Sequence, residues 1–195
     1  MTRARDDSRE RNVVRIIGGR CRGRNIRFAD GEGLRPTPSR VRETLFNWLM
    51  HDVRDARVLD LFAGSGALAF EALSRGAREA VIVDRSPVAC AQLARELASL
   101  AGAVGRVVRE DAVAFVARRC DTPFDIVFLD PPFHRELLAP AMRDLEANGF
   151  LAPTAWIYVE SESAPSPAMV PASWRLHRQS EAGQVCYSLF RRVTP

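Results

Sequence analysis

The sequence predicts an α/β fold, a largely parallel sheet with helices on both faces, behind a small basic extension. Three observations lead there. From about residue 57, short apolar runs alternate with segments of helical periodicity. Glycine and Ser-Pro or Thr-Pro signals punctuate those units. Residues 1–42 also differ in charge from everything after them.

Taken in order, residues 1–12 are charged and carry no apolar pattern, so a disordered tail is expected. Val13 to Ile17, the pair Gly18-Gly19, and Arg24 to Phe28 read as a small hairpin or two short strands around a glycine turn. Arg20, Arg22 and Arg24 alternate, which would set them on one side of an extended segment. Residues 30–33 read as a loop. Thr37 is an expected N-cap with Pro38 at the first helical position, opening a helix from about 38 to 50 through Val41, Leu45, Trp48 and Leu49. Trp48 falls on its core face. Residues 13–52 are thus read as an N-terminal extension, and 53–195 as the main domain.

In that domain, Val58 to Phe62 is the first strand, followed by a helix from Ala67 to Arg75 closed by Gly76. Ala80 to Val83 is the second strand; Ser86 caps and Pro87 starts the next helix, to about 100. Val104 to Val108 is the third strand, and Asp111 caps a helix through Arg118. Asp125 to Leu129 is the fourth strand, Glu136 to Glu146 a helix, and Ala155 to Val159 the fifth strand. Residues 161–171 read as a Ser/Pro loop. Trp174 to Gln179 and Gln184 to Arg191 close the chain as paired strands around Ala182-Gly183.

The composition, 47% apolar and 27% charged over 195 residues, is that of a globular chain able to bury a core without disulfides or metals. No run reaches the roughly 20 apolar residues of a membrane span, and the charged N-terminus has no apolar segment of a secretory signal behind it. Cys21, Cys90, Cys120 and Cys186 are far apart, with no CxxC pair and no His/Cys cluster. Free thiols, no metal and a cytoplasmic location are expected. All 28 basic residues are arginine. Residues 1–42 hold twelve of them against five acids, a net of +7, while the remainder carries −3. A genome bias explains arginine in place of lysine; it does not explain the clustering, which suits a phosphate-binding segment.

Two motifs carry the chemistry. The first strand ends in Asp60-Leu-Phe-Ala-Gly-Ser-Gly66, where glycines let a backbone approach a ligand and turn into a helix. Gly64-x-Gly66-x-x-Ala69 also satisfies the loose dinucleotide fingerprint, so a nicotinamide cofactor has to be weighed. Asp60 argues against it, because a carboxylate there suits a cation better than a pyrophosphate. Asp84, 24 residues on, ends the second strand, where an acid accepts ribose hydroxyls. Asp111 follows the third strand and is placed either to accept an adenine amine or only to cap a helix. Adenosine with a cationic tail and no phosphate describes S-adenosylmethionine, with Phe62, Arg85 and Ala112 beside the three acids. The second motif is Asp130-Pro131-Pro132-Phe133 after the fourth strand. Two prolines offer carbonyls and no N–H, Asp130 offers an acceptor when ionised, and Phe133 an apolar face. That set suits an object with N–H donors on its edge and a π-face, such as an exocyclic amine of a base or a planar amide. His134 reads as a solvated loop residue. If the first and fourth strands are neighbours at the switch in strand order, the two loops share one pocket.

The segments Arg15–Arg24 (RIIGGRCRGR), Leu34–Leu49 (LRPTPSRVRETLFNWL), Val58–Leu68 (VLDLFAGSGAL), Glu71–Ala77 (EALSRGA) and Asp130–Phe133 (DPPF) resemble the RsmD family of bacterial 16S rRNA guanine-N2 methyltransferases. The glycine and DPPF motifs are common to many methyltransferases; the two arginine-rich segments are more specific. Cys21 stands where that family has an aromatic residue, Pro38-Ser39 where Thr-Asp is usual, and Ala69 where Gly is commoner. The resemblance implies the class I SAM-dependent methyltransferase fold, Rossmann-like with seven strands and an antiparallel last strand. It implies S-adenosylmethionine as cofactor, and as substrate guanine 966 of 16S rRNA, naked or in a small-subunit particle. By position it implies Asp130, Pro131, Pro132 and Phe133 as the catalytic loop. Arg15, Arg20, Arg22, Arg24, Arg35, Arg40 and Arg42 are the expected RNA contacts, Arg40 and Arg42 alternatively closing over the site. A monomer is expected. The rivals are an amine methyltransferase for DNA adenine N6 or protein glutamine, and a non-catalytic RNA-binding assembly factor.

Overall fold

The computed structural model describes residues 12–30, 36–133 and 136–193. The expectations for the tail before residue 12, for the loop at 31–33, and for Arg35 and His134 lie outside the described residues.

A two-stranded antiparallel hairpin, β1 (Val13–Arg15) and β2 (Asn25–Arg27), precedes helix α1 (Ser39–Trp48). The chain then alternates β3 (Arg57–Asp60), α2 (Ala67–Ser74), β4 (Glu79–Asp84), α3 (Pro87–Ser99), β5 (Gly105–Arg109), α4 (Ala112–Val116), β6 (Phe124–Leu129) and α5 (Leu138–Ala147). It closes with β7 (Leu151–Ser161), β8 (Trp174–Ala182) and β9 (Val185–Arg192). The seven-stranded sheet has the order β5-β4-β3-β6-β7-β9-β8, parallel except for β9, which is antiparallel to both of its neighbours.

Strand alternation divides the core. Leu59, Val81, Val127 and Ile157 face α4 and α5, where Phe115, Val116, Met142 and Leu145 cover them. Val58, Phe128 and Tyr158 face α1 through Leu45 and Phe46, and Ala80 and Ile82 face α2 and α3 through Phe70 and Leu93. All eight residues of α2 are buried, because the hairpin covers its outer side. Glu71, with no exposed surface, takes the Ile17 and Gly18 N–H groups at 2.9 and 2.8 Å, Arg75 Nε at 2.7 Å and Arg42 Nη1 at 3.3 Å. Ser74 Oγ accepts from the Cys21 N–H, and its carbonyl takes the Arg20 N–H.

Several expectations are corrected. Thr37 caps nothing: the cap position is Pro38 and the helix starts at Ser39. A residue before proline is held extended, so Thr37 turns its hydroxyl towards the end of β6. Arg20 and Arg22 lie in a tight turn, closed by Arg22 N–H to Gly19 O and Arg24 N–H to Cys21 O, so they do not alternate along a strand. The helix expected at Glu136 begins at Leu138, since Glu136 has the left-handed φ of 47°. Helix α4 is shorter than expected, and β7 longer at both ends. Trp48 is half-buried and stacks on Tyr187 at 5.5 Å, in keeping with a core role. No helix among the described residues is long and apolar enough to cross a membrane, and the four cysteines are free.

Candidate active site

The register places the two motif loops side by side. Asp60, the last residue of β3, lies opposite Ile82 of β4 on one side and Phe128 of β6 on the other. Asp84 and Asp130 each stand two residues further along, or about 7 Å. All three share the face covered by α1, α2 and α3, because they continue the Val58, Ile82 and Phe128 rows. The three acids thus stand at the carboxyl ends of three adjacent strands, Asp60 between Asp84 and Asp130, at the point where the strand order reverses.

The glycines of this loop are required by backbone conformation and, at Gly66, by packing against the core. Gly64 and Gly66 have φ of 52° and 73°, and a Cβ at Gly66 would lie 2.5 Å from Leu93 Cδ2 and 2.6 Å from Phe70 Cε2. Asp84 Oδ2 accepts the Gly64 N–H at 2.9 Å and Oδ1 the Ser86 N–H at 2.7 Å, so this acid shapes the loop while keeping lone pairs for a ligand. Asp60 is buried and accepts the Ala69 N–H at 3.1 Å. Burial, with Asp84 nearby, pushes its carboxyl up to about 7 against that hydrogen bond. A cation bound beside this acid would favour its ionised form and offset the effect of burial. Asp111 is exposed and its Oδ1 caps α4 through the Val113 and Ala114 N–H groups, leaving Oδ2 for another donor. Phe62 is half-buried against the core, Ala112 is buried and Arg85 exposed. This donor set fits a nucleoside with a cationic tail.

After β6, Pro131 is buried, Pro132 is exposed and Phe133 is 39% exposed, a large apolar face open to solvent. Asp130 Oδ2 accepts from Thr37 Oγ1 at 3.2 Å. Burial raises the Asp130 carboxyl well above the usual carboxylate range, and the charges of Glu160 and Asp60 add to the effect. Glu160 is not singled out from the sequence, and Thr37 is read there only as a helix cap. The signal for Glu160 lies in the register, since Leu129, the last residue of β6, is opposite Val159 of β7, and Asp130 and Glu160 each follow by one residue.

The arginines divide into two groups. Arg15, Arg20, Arg22 and Arg40 are exposed, and Arg24 is half-buried. Arg20 reaches the Gly102 carbonyl and Arg24 the Ser99 hydroxyl, both at 2.8 Å. Arg42 is not a phosphate contact. It is 2% exposed, and its guanidinium donates to Thr37 O, Arg15 O, Ser39 Oγ and Glu71. A phosphate would have to displace a buried carboxylate to reach it.

Fold and site together define a class I S-adenosylmethionine-dependent methyltransferase. More narrowly, the chain belongs to the RsmD family: the family model described as conserved hypothetical protein 95 matches residues 14–191. It is 51% identical over 179 residues to ribosomal RNA small subunit methyltransferase D of Escherichia coli K12, covering 92% of this chain and 90% of that one. The Haemophilus influenzae protein of the same name is 42% identical, with coverages of 91% and 93%. Among solved structures, yhhF from Escherichia coli superposes with a TM-score of 0.86 at 50% identity, over 94% of this chain and all of that one.

Proposed function

We propose that this chain methylates the exocyclic N2 amine of a guanine in small-subunit ribosomal RNA, guanine 966 in the conventional 16S numbering. The observation that carries the proposal is the meeting of the donor loop (Asp60 to Gly66) and the acceptor loop (Asp130 to Phe133) on adjacent strands. The relatives' names supply the small-subunit RNA, and the family resemblance supplies guanine and its position.

Bound S-adenosylmethionine supplies an electrophilic methyl on a sulfonium. Asp60 pairs with the cationic end of the cofactor, Asp84 receives the ribose hydroxyls and Asp111 Oδ2 the adenine amine. Asp130 and the Pro131 carbonyl each accept one N–H of the target amine and orient its nitrogen towards the methyl. Guanine N2 is a poor nucleophile because its lone pair is delocalised into the ring. Acceptors that tighten as positive charge builds on nitrogen therefore act where stabilisation accelerates the step. A hydrogen bond to a charged group contributes about 1.5–3 kcal/mol, or about 10- to 150-fold in rate if made only at the transition state. Phe133 stacks on the base once it is turned out. Exposed Arg15, Arg20, Arg22 and Arg40, with half-buried Arg24, hold phosphates, the hairpin and α1 forming the RNA-facing side.

The test is nucleotide mapping of 16S rRNA from cells lacking this protein, complemented with the natural chain or with Asp130→Ala. Loss of one N2-methylguanine, restored by the natural chain and not by the variant, is expected. Restoration by Asp130→Ala, or an unchanged map, refutes the proposal; DNA and release factor assayed in parallel show whether another amine is the target.

A further inference from the structure

β6 and β7 run parallel with Leu129 opposite Val159, so Asp130 and Glu160 are the next pair along, on the same face and about 5 Å apart between strands. Glu160 is 4% exposed. Its Oε2 accepts the Tyr158 hydroxyl at 2.9 Å, and that tyrosine is fully buried, edge-on to Phe128 at 6.3 Å. No ion pair holds either Asp130 or Glu160 among the described residues. An uncompensated buried acid beside a second one opposes stability. The position therefore calls for a role outside folding.

We infer that Glu160 is a positioning residue of the transfer step, an anion fixed by Tyr158 that makes Asp130 the acceptor of the proton the amine gives up. The inference rests on the reading of Asp130 above. As the N–CH3 bond forms from the nitrogen lone pair, the S–CH3 bond breaks and its electron pair stays on sulfur. Nitrogen then carries the positive charge until one of its two original protons moves to the Asp130 carboxylate, which later yields it to water. A negative neighbour at Glu160 strengthens that proton acceptor. Asp130 is faced by Thr37 from the segment before α1, Asp60 from β3, and Glu160 and Tyr158 from β7; Glu160 pairs across β9 with Tyr187. After burial, Glu160 is the largest influence raising the Asp130 carboxyl; burial raises the Glu160 carboxyl as well, and the Tyr158 hydroxyl opposes that rise by stabilising the ionised form.

The test is the pH dependence of single-turnover methyl transfer in Glu160→Gln, together with carboxyl-carbon NMR titration of Asp130 in the cofactor-free protein, assigned with Asp130→Asn. Removing the charge should move the acid limb of the rate profile and the Asp130 titration to lower pH by about one unit, a tenfold change in proton affinity. The plateau rate should fall about tenfold, with cofactor and RNA affinities unchanged. Tyr158→Phe should move both curves the same way by less, and it serves if Glu160→Gln does not fold. A slower enzyme with both curves in place means that Glu160 is only structural and overturns the inference. Activity retained in Asp130→Ala overturns the underlying reading instead.

Discussion

Glu71→Ala is the perturbation with the largest expected effect on the fold. The substitution strands two backbone N–H groups, those of Ile17 and Gly18, and leaves the Arg42 guanidinium buried at 3% side-chain exposure without its anion. Removing one member of a buried ion pair costs about 3–5 kcal/mol, and each stranded donor about 1–3 more. The three share one carboxylate and do not add, so the net loss should be about 4–5 kcal/mol. With a urea slope of about 2 kcal/mol/M, the denaturation midpoint should fall by about 2 M, read from the fluorescence of Trp48, Trp156 and Trp174. Trypsin should also cut first among the arginines of residues 12–30, because the lost contacts are those that hold the hairpin. Glu71→Gln keeps one acceptor and should lose about half as much. A midpoint within about 0.5 M of the natural protein, or a larger loss for Gln than for Ala, would refute the reasoning.

Four further outcomes are expected. Asp60, held up to about 7, must release its proton to pair with a cation, so cofactor affinity by calorimetry should rise with pH to about 7 and flatten above it, with Asp60→Asn weaker and level. The same group stabilises the cofactor-free fold below the ordinary carboxylate range, and that stability should be lost as pH rises through about 7, a trend that melting curves of Asp60→Asn should lack. Gly19→Ala would place a Cβ 1.9 Å from the Ser74 carbonyl at φ +75°, so its melting temperature should drop by several degrees and the hairpin should be cut sooner by trypsin. Substituting Arg22 or Arg40 by Gln should lower the log–log salt slope of RNA binding by about 0.7–0.9 each, whereas Arg42→Gln should leave the slope and lower stability.

The alternating units, Ser86-Pro87, the Asp111 cap and the neighbouring motif loops were legible because each rests on local chemistry or on the handedness of parallel connections. Arg42, Thr37 and Glu160 were not, since their roles depend on groups 29, 93 and 30 residues away in the chain. Glu71 did leave a trace: it is the one acid in ALAFEALS, a helix apolar on every side, which is a pattern that demands a buried partner. The arginine-glycine run at 18–24 reads as a phosphate grip on charge alone. Gly19 is required by its packing against the Ser74 carbonyl at the end of α2, which the run does not reveal.

Helix α2 is only eight residues long, about 12 Å. One end is the glycine turn of the donor loop, and at the other Ser74 is clasped by the hairpin. Wrapped on every side, it is a stiff strut between the hairpin, the RNA-facing side under the function proposed above, and the glycine turn proposed to hold the methyl donor. Under that proposal, a load applied to the arginines would reach the glycine turn through a solid element, which would make docking and donor alignment mechanically one event.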